Sequence, residues 1–314
     1  MRRSGYTRTM EGATGPRLWC IVSAAFAVAL AIAATATAGA SADGPWIIFS
    51  ADPPAQSLEQ LFRIHPAGDG LQQITTGGYS SIAPAFSPNG KRIAFARLGV
   101  GILTMNIDGT GLRRLTTNGR DSFPAWSPDG AHIAFIRPYK TEWRLNTMSS
   151  SGAAERRLRQ APPSGRPTWT PAGLLIPSGG DLLKIDPTTG HVQKYFNAEI
   201  DAIWGENSVA LAPDRSRLTF VGQRGPEPGD KECGEGPCQR FALYKESLLT
   251  KIKKPQKVID DAGPATFSPS GTQLVFVDHD GLVLWPLAGG TSTTIPTGDA
   301  TPTVSAPPAW QKVG

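Results

Sequence analysis

The stretch PAFSPNG at residues 84–90 decides the fold, because it returns as PAWSPDG at residues 124–130. Each copy is followed by a short apolar segment, Ile93–Phe95 after the first and Ile133–Phe135 after the second. The Asn-Gly or Asp-Gly pair before each segment is a strong signal for a β-hairpin. A repeat of about 40 residues that contains such a hairpin predicts the blades of a β-propeller.

Weaker copies of this stretch continue along the chain at similar spacing. The bulky residue at its third position recurs at Phe86, Trp126, Trp169, Leu211, Phe267 and Trp310. The steps between neighbours are 40, 43, 42, 56 and 43 residues, and each step has room for two further strands, such as Ile102–Met105 and Leu112–Thr116. Because a propeller blade has four antiparallel strands, the sequence predicts an all-β fold, a six-bladed β-propeller of four-stranded antiparallel blades.

The two ends of the repeat region predict how the ring closes. The first apolar segment, Trp46–Phe49, matches the second strand of a blade, whereas Trp310 matches a first strand. We therefore expect residues near Ala306–Gln311 to supply the inner strand of the blade that Trp46 begins. The propeller would then be closed by pairing of its N- and C-terminal segments.

Residues 1–42 are typical of an export signal. Arg2, Arg3, Arg8 and Arg17 precede the apolar run 18–34, and small residues lead to Ala42. We expect cleavage after Ala42, with Ala40 as the alternative, and a single propeller domain over residues 43–314. The run is also just long enough to remain as an uncleaved membrane anchor. Either outcome predicts a periplasmic or secreted protein that meets the membrane only through this segment if it stays attached.

Charge gives little sign of a nucleic-acid partner. The chain carries a formal net charge of +5, but four of its 31 basic and one of its 26 acidic residues lie in the export signal, which leaves +2 for the remainder. Its most basic run, residues 251–257, is better explained as a solvated connector between outer strands than as a binding stripe. We expect no nucleic-acid partner, no cofactor and a monomeric protein.

The one long step of the repeat contains a cysteine pair. Cys233 and Cys238 lie in an insertion predicted at about residues 222–240. In an exported protein, two cysteines across a Gly/Pro turn favour a disulfide that stiffens the insertion. Zinc is the competing interpretation, but a structural site needs four ligands and the insertion has no histidine. The insertion is a candidate functional loop because it departs from the repeat.

Candidate catalytic and metal-binding residues are scattered. The four histidines occupy different phases of the repeat, so propeller symmetry does not gather them. The segment Asp278-His279-Asp280 could hold a cation, yet it stands where other repeats have a turn, and turn chemistry explains it. The same holds for Asn89, Asp129 and Asp214 in the hairpins. We therefore predict no catalytic, cofactor-binding or metal residue, and enzymatic activity is left uncertain, with a non-enzymatic role favoured.

The repeated stretches, together with Ile107–Gly111 and Arg114–Thr116, resemble the WD40-like repeats of TolB-type six-bladed β-propellers over about residues 46–310. This resemblance implies the fold. It also suggests a role like that of TolB, a periplasmic component of the Tol–Pal envelope system that binds a peptidoglycan-associated lipoprotein through its propeller. TolB carries a further N-terminal α/β domain, which we do not expect here because the repeat starts close to Ala42.

Two classes of function remain open. The favoured one is an exported, non-enzymatic scaffold that binds an envelope protein or lipoprotein. The alternative is a metal-dependent lyase or lactonase that acts at the channel mouth on a small molecule or carbohydrate, or a carbohydrate binder that uses Trp143, Trp204 or Trp285. We expect specific activity where the repeat fails, near Cys233–Cys238, Tyr139–Trp143 and Trp204, and a structural role for the repeated stretch itself.

Overall fold

Antiparallel β-strands build the whole described part of the protein. A computed structural model describes residues 44–54, 56–140, 142–158, 165–178, 181–197, 209–214, 216–224, 240–247, 256–260, 262–304 and 306–312. The described residues all lie in one compact unit, 40–314. None of them forms a helix, and hence none forms a helix that could cross a membrane.

These strands form six sheets, which we call blades 1 to 6. Blade 1 begins with β1 (Ile47–Asp52), β2 (Gln60–Ile64) and β3 (Gln72–Gln73). Blade 2 contains β4 (Ser81–Phe86), β5 (Arg92–Arg97), β6 (Gly101–Asn106) and β7 (Arg113–Arg114). Blade 3 contains β8 (Ser122–Trp126), β9 (His132–Tyr139), β10 (Glu142–Ser149) and β11 (Arg156–Arg157).

Blades 4 to 6 repeat the same order. Blade 4 contains β12 (Thr168–Thr170), β13 (Gly173–Ser178), β14 (Asp181–Ile185) and β15 (Val192–Asn197). Blade 5 contains β16 (Ala210–Leu211), β17 (Arg217–Arg224), β18 (Arg240–Ser247) and β19 (Gln256–Asp260). Blade 6 contains β20 (Thr266–Phe267), β21 (Gln273–Asp278), β22 (Gly281–Pro286) and β23 (Thr293–Ile295). Blades 2 to 6 are four-stranded, with every neighbouring pair antiparallel, as predicted.

Blade 1 is completed by the C-terminal strands β24 (Thr301–Pro302) and β25 (Ala309–Trp310). Both pair antiparallel with β1: Trp310 lies opposite Ile47, and Pro302 lies opposite Ala51. The backbone N–H of Gln311 also donates to the carbonyl of Trp46 at 2.8 Å. The predicted closure is therefore confirmed. The structure adds that two separate strands close the blade, because β24 and β25 pair with opposite ends of β1.

The second strand of each blade supplies the core. Its phenylalanine is fully buried at the same position in five blades: Phe49, Phe95, Phe135, Phe220 and Phe276. Residues on both faces of these strands are buried, because a propeller blade is covered on both faces by its neighbours. The apolar segment that follows each copy of the repeated stretch is thus the main packing element of the fold.

The hairpins that follow the first strands of blades 2, 3 and 5 have the polar turn predicted for them. In blade 3, the Ser127 hydroxyl donates to Asp129 Oδ1 at 2.5 Å and accepts from the backbone N–H of His132 at 2.8 Å. The N–H of Ala131 donates to the same Asp129 oxygen at 2.9 Å, and these bonds lower the pKa of the Asp129 carboxyl. Gly130 has φ 72°, a conformation that suits glycine. Asp129 is therefore a turn residue, and Asn89 and Asp214 make equivalent local bonds.

Replacing Gly130 with alanine isolates the backbone requirement of this turn. The added Cβ would meet Pro88 Cδ at 3.6 Å, an ordinary contact, so the expected loss of about 1–2 kcal/mol comes from the positive φ alone. Gly78→Ala is the matched control, since its Cβ meets nothing within 4 Å, and we expect a change of no more than about 0.5 kcal/mol. Urea denaturation of both variants checks this; equal midpoints would contradict it.

Candidate functional site

The first strands of all six blades surround a cavity of about 370 Å³, which we call the channel cavity. Small residues line it at the second position of the repeated stretch: Ala85, Ala125, Thr168, Ala210, Thr266 and Ala309. The bulky third residues follow toward the hairpins: Phe86, Trp126, Trp169, Leu211, Phe267 and Trp310. The hairpin prolines Pro88, Pro128, Pro171, Pro213 and Pro269 complete the wall. The cavity is thus built by the repeat itself.

Two of the strands that line this cavity have irregular backbone. The register of β4 with β5 shifts between Ile82 and Ala85, and that of β8 with β9 shifts between Ser122 and Ala125. Ala83 and Phe123, inside these bulges, have φ 55° and 53°, a conformation that alanine and phenylalanine rarely adopt.

Side chains of these bulges are buried in the apolar core. Ala83, Phe123 and Ala306 are buried and belong to one apolar cluster, although they come from blades 2, 3 and 1. Bulges commonly aim side chains at functional sites. Here they place apolar groups in one buried cluster that three blades share.

Arg166 lies in the same layer, just before β12, and lines the cavity. Its side chain reaches past blade 3 to blade 2, where Nη2 donates to the carbonyl of Pro84 at 2.6 Å and to that of Ala83 at 3.5 Å. Only 8% of the residue is exposed. Burial lowers the pKa of Arg166 to about 10, so the guanidinium is still charged at neutral pH.

The charged side chains among the described lining residues of the cavity are all positive. Arg166 and Lys312 line it, and the described lining residues include no aspartate, glutamate, histidine or cysteine. Those residue types are the usual side-chain ligands of divalent metals. The described wall therefore offers an anion a favourable environment and offers a divalent cation no side-chain ligand of these types.

A second cavity of about 610 Å³, which we call the side groove, runs between blades 3 and 4. It shares Pro128, Trp169, Thr170 and Pro171 with the channel cavity. His132 and Trp169 face each other in this region with ring centroids 6.2 Å apart. A ligand that crosses Trp169 could therefore occupy both cavities.

Several residues predicted to be functional lie elsewhere. Tyr139 and Trp143 are 47% and 42% exposed at the hairpin between β9 and β10, where Arg144 stacks on the Tyr139 ring at 3.4 Å. This hairpin joins the second and third strands of its blade, so it lies at the end opposite to the channel cavity. Trp285 packs against the core of blade 6. These tryptophans do not form one carbohydrate platform.

The remaining predicted positions fall outside the described residues: Ala42, Trp204, Cys233 and Cys238. The insertion predicted at about 222–240 lies mostly outside the described residues, since β17 continues to Arg224 and β18 begins at Arg240. The repeat strands are longer here than the pattern indicated, and pairing joins Arg224 to Arg240 directly. Residues 225–239 between them are not among the described ones.

The four histidines lie in four different blades. His65 is buried and stacks on Trp46 with ring centroids 3.6 Å apart, whereas His132, His191 and His279 are exposed. Asp278, His279 and Asp280 form the one group among the described residues whose ligand atoms lie close enough for a metal, within 4.8 Å of one another. They occupy the turn between β21 and β22, at the end away from the channel cavity, and Asp278 accepts the N–H of Asp280 at 2.8 Å in ordinary turn geometry.

Sequence reasoning missed the two main features of the site. The repeated stretch was expected to be structural only, yet every copy contributes to the cavity wall. Arg166 was not singled out, although one signal was available. It stands immediately before Pro167, where the first two copies have Ala83 and Phe123. A charged residue at a position that is apolar in other copies of a repeat indicates a role other than packing.

The fold defines the class of this protein as a β-propeller whose channel opens into a cavity at one end. The family model for the TolB beta propeller domain matches residues 29–173. This part of the chain is accordingly similar to TolB-type β-propellers.

Two curated bacterial relatives and one crystal structure illustrate the similarity. The Tol-Pal system protein TolB of Gluconobacter oxydans is 33% identical over 106 residues, and an uncharacterised protein of Agrobacterium fabrum is 29% identical over 117 residues. These matches span 31% and 32% of this chain, but only 23% and 39% of the relatives. The crystal structure of TolB from Acinetobacter baumannii superposes with a TM-score of 0.62 at 17% identity, covering 85% of this chain and 67% of that one.

Proposed function

We propose that this protein is an exported, non-enzymatic scaffold that binds a protein partner of the cell envelope, with a segment of the partner entering the channel cavity. The observation that carries this proposal is the preformed cavity to which all six blades contribute. Its wall combines tryptophans, prolines and an arginine, which is the composition of binding surfaces with strong anchor points. Its size also suits a short peptide segment or a small ligand.

The relatives support an envelope role. One of them is described as a Tol-Pal system protein, and the export signal predicted for residues 1–42 would deliver this chain to the same side of the inner membrane. The disulfide predicted between Cys233 and Cys238 fits an oxidising compartment. An envelope protein or lipoprotein is the expected partner.

The two cavities suggest how a partner would lie. Trp169 and Pro171 belong to both the channel cavity and the side groove, so an extended segment could run along the groove and end in the channel. A tryptophan side chain between the two cavities offers a large contact area and loses little conformational entropy on binding. Within the described part of the chain, no specific observation favours the alternative of a metal-dependent lyase or lactonase.

Site-specific photo-crosslinking tests this proposal. A photoreactive amino acid at Ser270, in the hairpin beside the cavity-lining Pro269, should crosslink a discrete envelope protein of the source organism. The same group at Thr293, exposed on the outer strand β23 of the same blade, is the matched control and should not. Equal labelling from both positions, or labelling from Thr293 alone, would refute the channel end as the binding surface.

Trp169→Ala should weaken the partner's affinity strongly. A tryptophan at the centre of an interface commonly contributes about 2 kcal/mol or more, which corresponds to a Kd raised roughly 30-fold. Trp143→Ala is the control, because that tryptophan is exposed at the opposite end and should leave the Kd within about twofold. Biolayer interferometry with the crosslinked partner, once purified, measures both; a larger effect at Trp143 would place the interface at the other end.

A further inference from the structure

Arg166 is a buried cation that lacks an acidic partner among the described residues. Its hydrogen bonds there go to two neutral carbonyls, those of Pro84 and Ala83. Burying a charge is costly unless the charge is paired. Arg137 in blade 3 is a cation paired in this way, because its guanidinium contacts the carboxylates of Asp121 and Glu155. The lowered pKa of Arg166 has the same cause, namely that burial disfavours the charged form.

The described bonds leave part of the guanidinium available. Both come from Nη2, whereas Nε and Nη1 have no acceptor among the described residues. A guanidinium carries five N–H donors in a planar fork that matches the two oxygens of a carboxylate. Because Arg166 lines the cavity, a ligand in the channel can reach it.

The cavity that Arg166 lines has room for such a ligand. Small side chains, alanines and threonines, are among its lining residues. The second cation among the lining residues, Lys312, is exposed to solvent, and no described lining residue is acidic. The buried guanidinium of Arg166 carries one positive charge and therefore balances one negative charge of a ligand. A doubly charged phosphate would leave its second charge in a largely apolar cavity, which favours a carboxylate.

We propose that the channel cavity binds a carboxylate group of its ligand, with the Arg166 guanidinium as the charged partner. This inference rests on the proposed function, because it names the chemical group that the partner would insert. The carboxylate could belong to a peptide, as a chain end, or to a free small acid. Arg166 then has two roles, since one edge holds the bulge of blade 2 and the other receives the ligand.

Titration of the full chain with defined probes tests the site. Tryptophan fluorescence is the readout, because Trp126, Trp169 and Trp310 line the cavity. The probes are acetate, an N-acetylated alanine tripeptide with a free C-terminal carboxylate, and the C-terminal amide of that tripeptide. We expect a saturable change with a Kd of about 1 mM or tighter for the acids and no change for the amide. Tighter binding of the acid tripeptide than of acetate indicates a chain end; equal binding indicates a free acid.

Two variants identify the residue responsible. Arg166→Lys keeps the charge but loses the fork, and should raise the Kd about tenfold or more. Arg97→Lys is the control, because Arg97 is also partly buried without a carboxylate partner among the described residues, yet does not line the cavity; its Kd should be unchanged. If thermal melting shows that Arg166→Lys fails to fold, Lys312→Gln replaces it. That residue is exposed, and its loss should raise the Kd roughly two- to fivefold.

The outcomes separate this inference from the proposed function. A response to the amide equal to that of the acid, or an unchanged Kd in Arg166→Lys or Lys312→Gln, overturns the carboxylate site. If crosslinking from Ser270 persists in that case, the partner-binding function stands and only the inference fails. If carboxylates bind but no partner crosslinks, the site stands and the proposed function fails.

Discussion

Truncation after residue 305 is expected to unfold the propeller or bring it close to unfolding. The truncated chain lacks β25, and with it the pairing of Trp310 with Ile47 and the bonds between Gln311 and Trp46. Trp310 is 7% exposed, and loss of a buried tryptophan side chain alone costs about 3–5 kcal/mol. A typical domain is stable by only about 5–15 kcal/mol.

Loss of β25 would also leave half of β1 as an open strand edge. In the closed ring, that half of β1 is paired on both sides, by β2 and by β25. An unpaired edge invites aggregation. Truncation after Lys312 is the matched control, because it removes two residues and keeps all of β25. Thermal melting and limited proteolysis distinguish the two chains. A chain ending at residue 305 that melts with the full-length protein would show that the ring does not depend on this closure.

Arg137→Met is expected to destabilise the protein strongly, although it changes a single side chain. Arg137 Nε and Nη2 donate to the two carboxylate oxygens of Asp121 at 2.6 and 2.7 Å, and its other contacts go to Glu155. Asp121 is fully buried. The hydrogen bonds to Asp121 raise the pKa of Arg137 above its ordinary value, despite partial burial. Removing the cation would leave a buried carboxylate without its partner, at a cost of about 3–5 kcal/mol.

The neighbouring blade provides the control for this ion pair. Arg97 occupies the equivalent position of β5, but its Nε donates to the Ser81 hydroxyl at 3.1 Å and no described carboxylate lies opposite. Arg97→Met should therefore cost only about 1 kcal/mol. Adding Asp121→Asn to Arg137→Met should recover part of the loss, since the unpaired charge is gone. Urea unfolding of the four chains measures these differences; similar losses in Arg97→Met and Arg137→Met would contradict the assigned role of Asp121.

The sequence predicted the parts of the fold that depend on neighbouring residues within each repeat. The turn around Asn89-Gly90 and Asp129-Gly130 has one favoured geometry, and the alternating segment after it has one buried face. Six copies of the stretch therefore predicted six blades. Because the repeat region begins with a second strand at Trp46 and ends with a first strand at Trp310, its two ends predicted the closure. These features depend on neighbours in the chain, which a single sequence displays.

The site was harder to predict because it depends on contacts between distant blades. Nothing in alanine or phenylalanine signals the positive φ of Ala83 and Phe123, which arises where the first strands meet around the channel. Arg166 finds its acceptors 82 and 83 residues earlier in the chain, in a blade that is not its neighbour. The longer strands β17 and β18 likewise continue past the repeat pattern because they pair with each other.

Hydrogen exchange of the protein alone and with its crosslinked partner tests the central claim most directly, which is that the cavity built by the repeated stretch binds the ligand. We predict that the partner slows exchange in the hairpins at residues 127–131 and 268–272 and around Trp169, while the hairpin at residues 139–144 is unaffected. Protection confined to residues 139–144, with the repeated hairpins unchanged, would contradict the account.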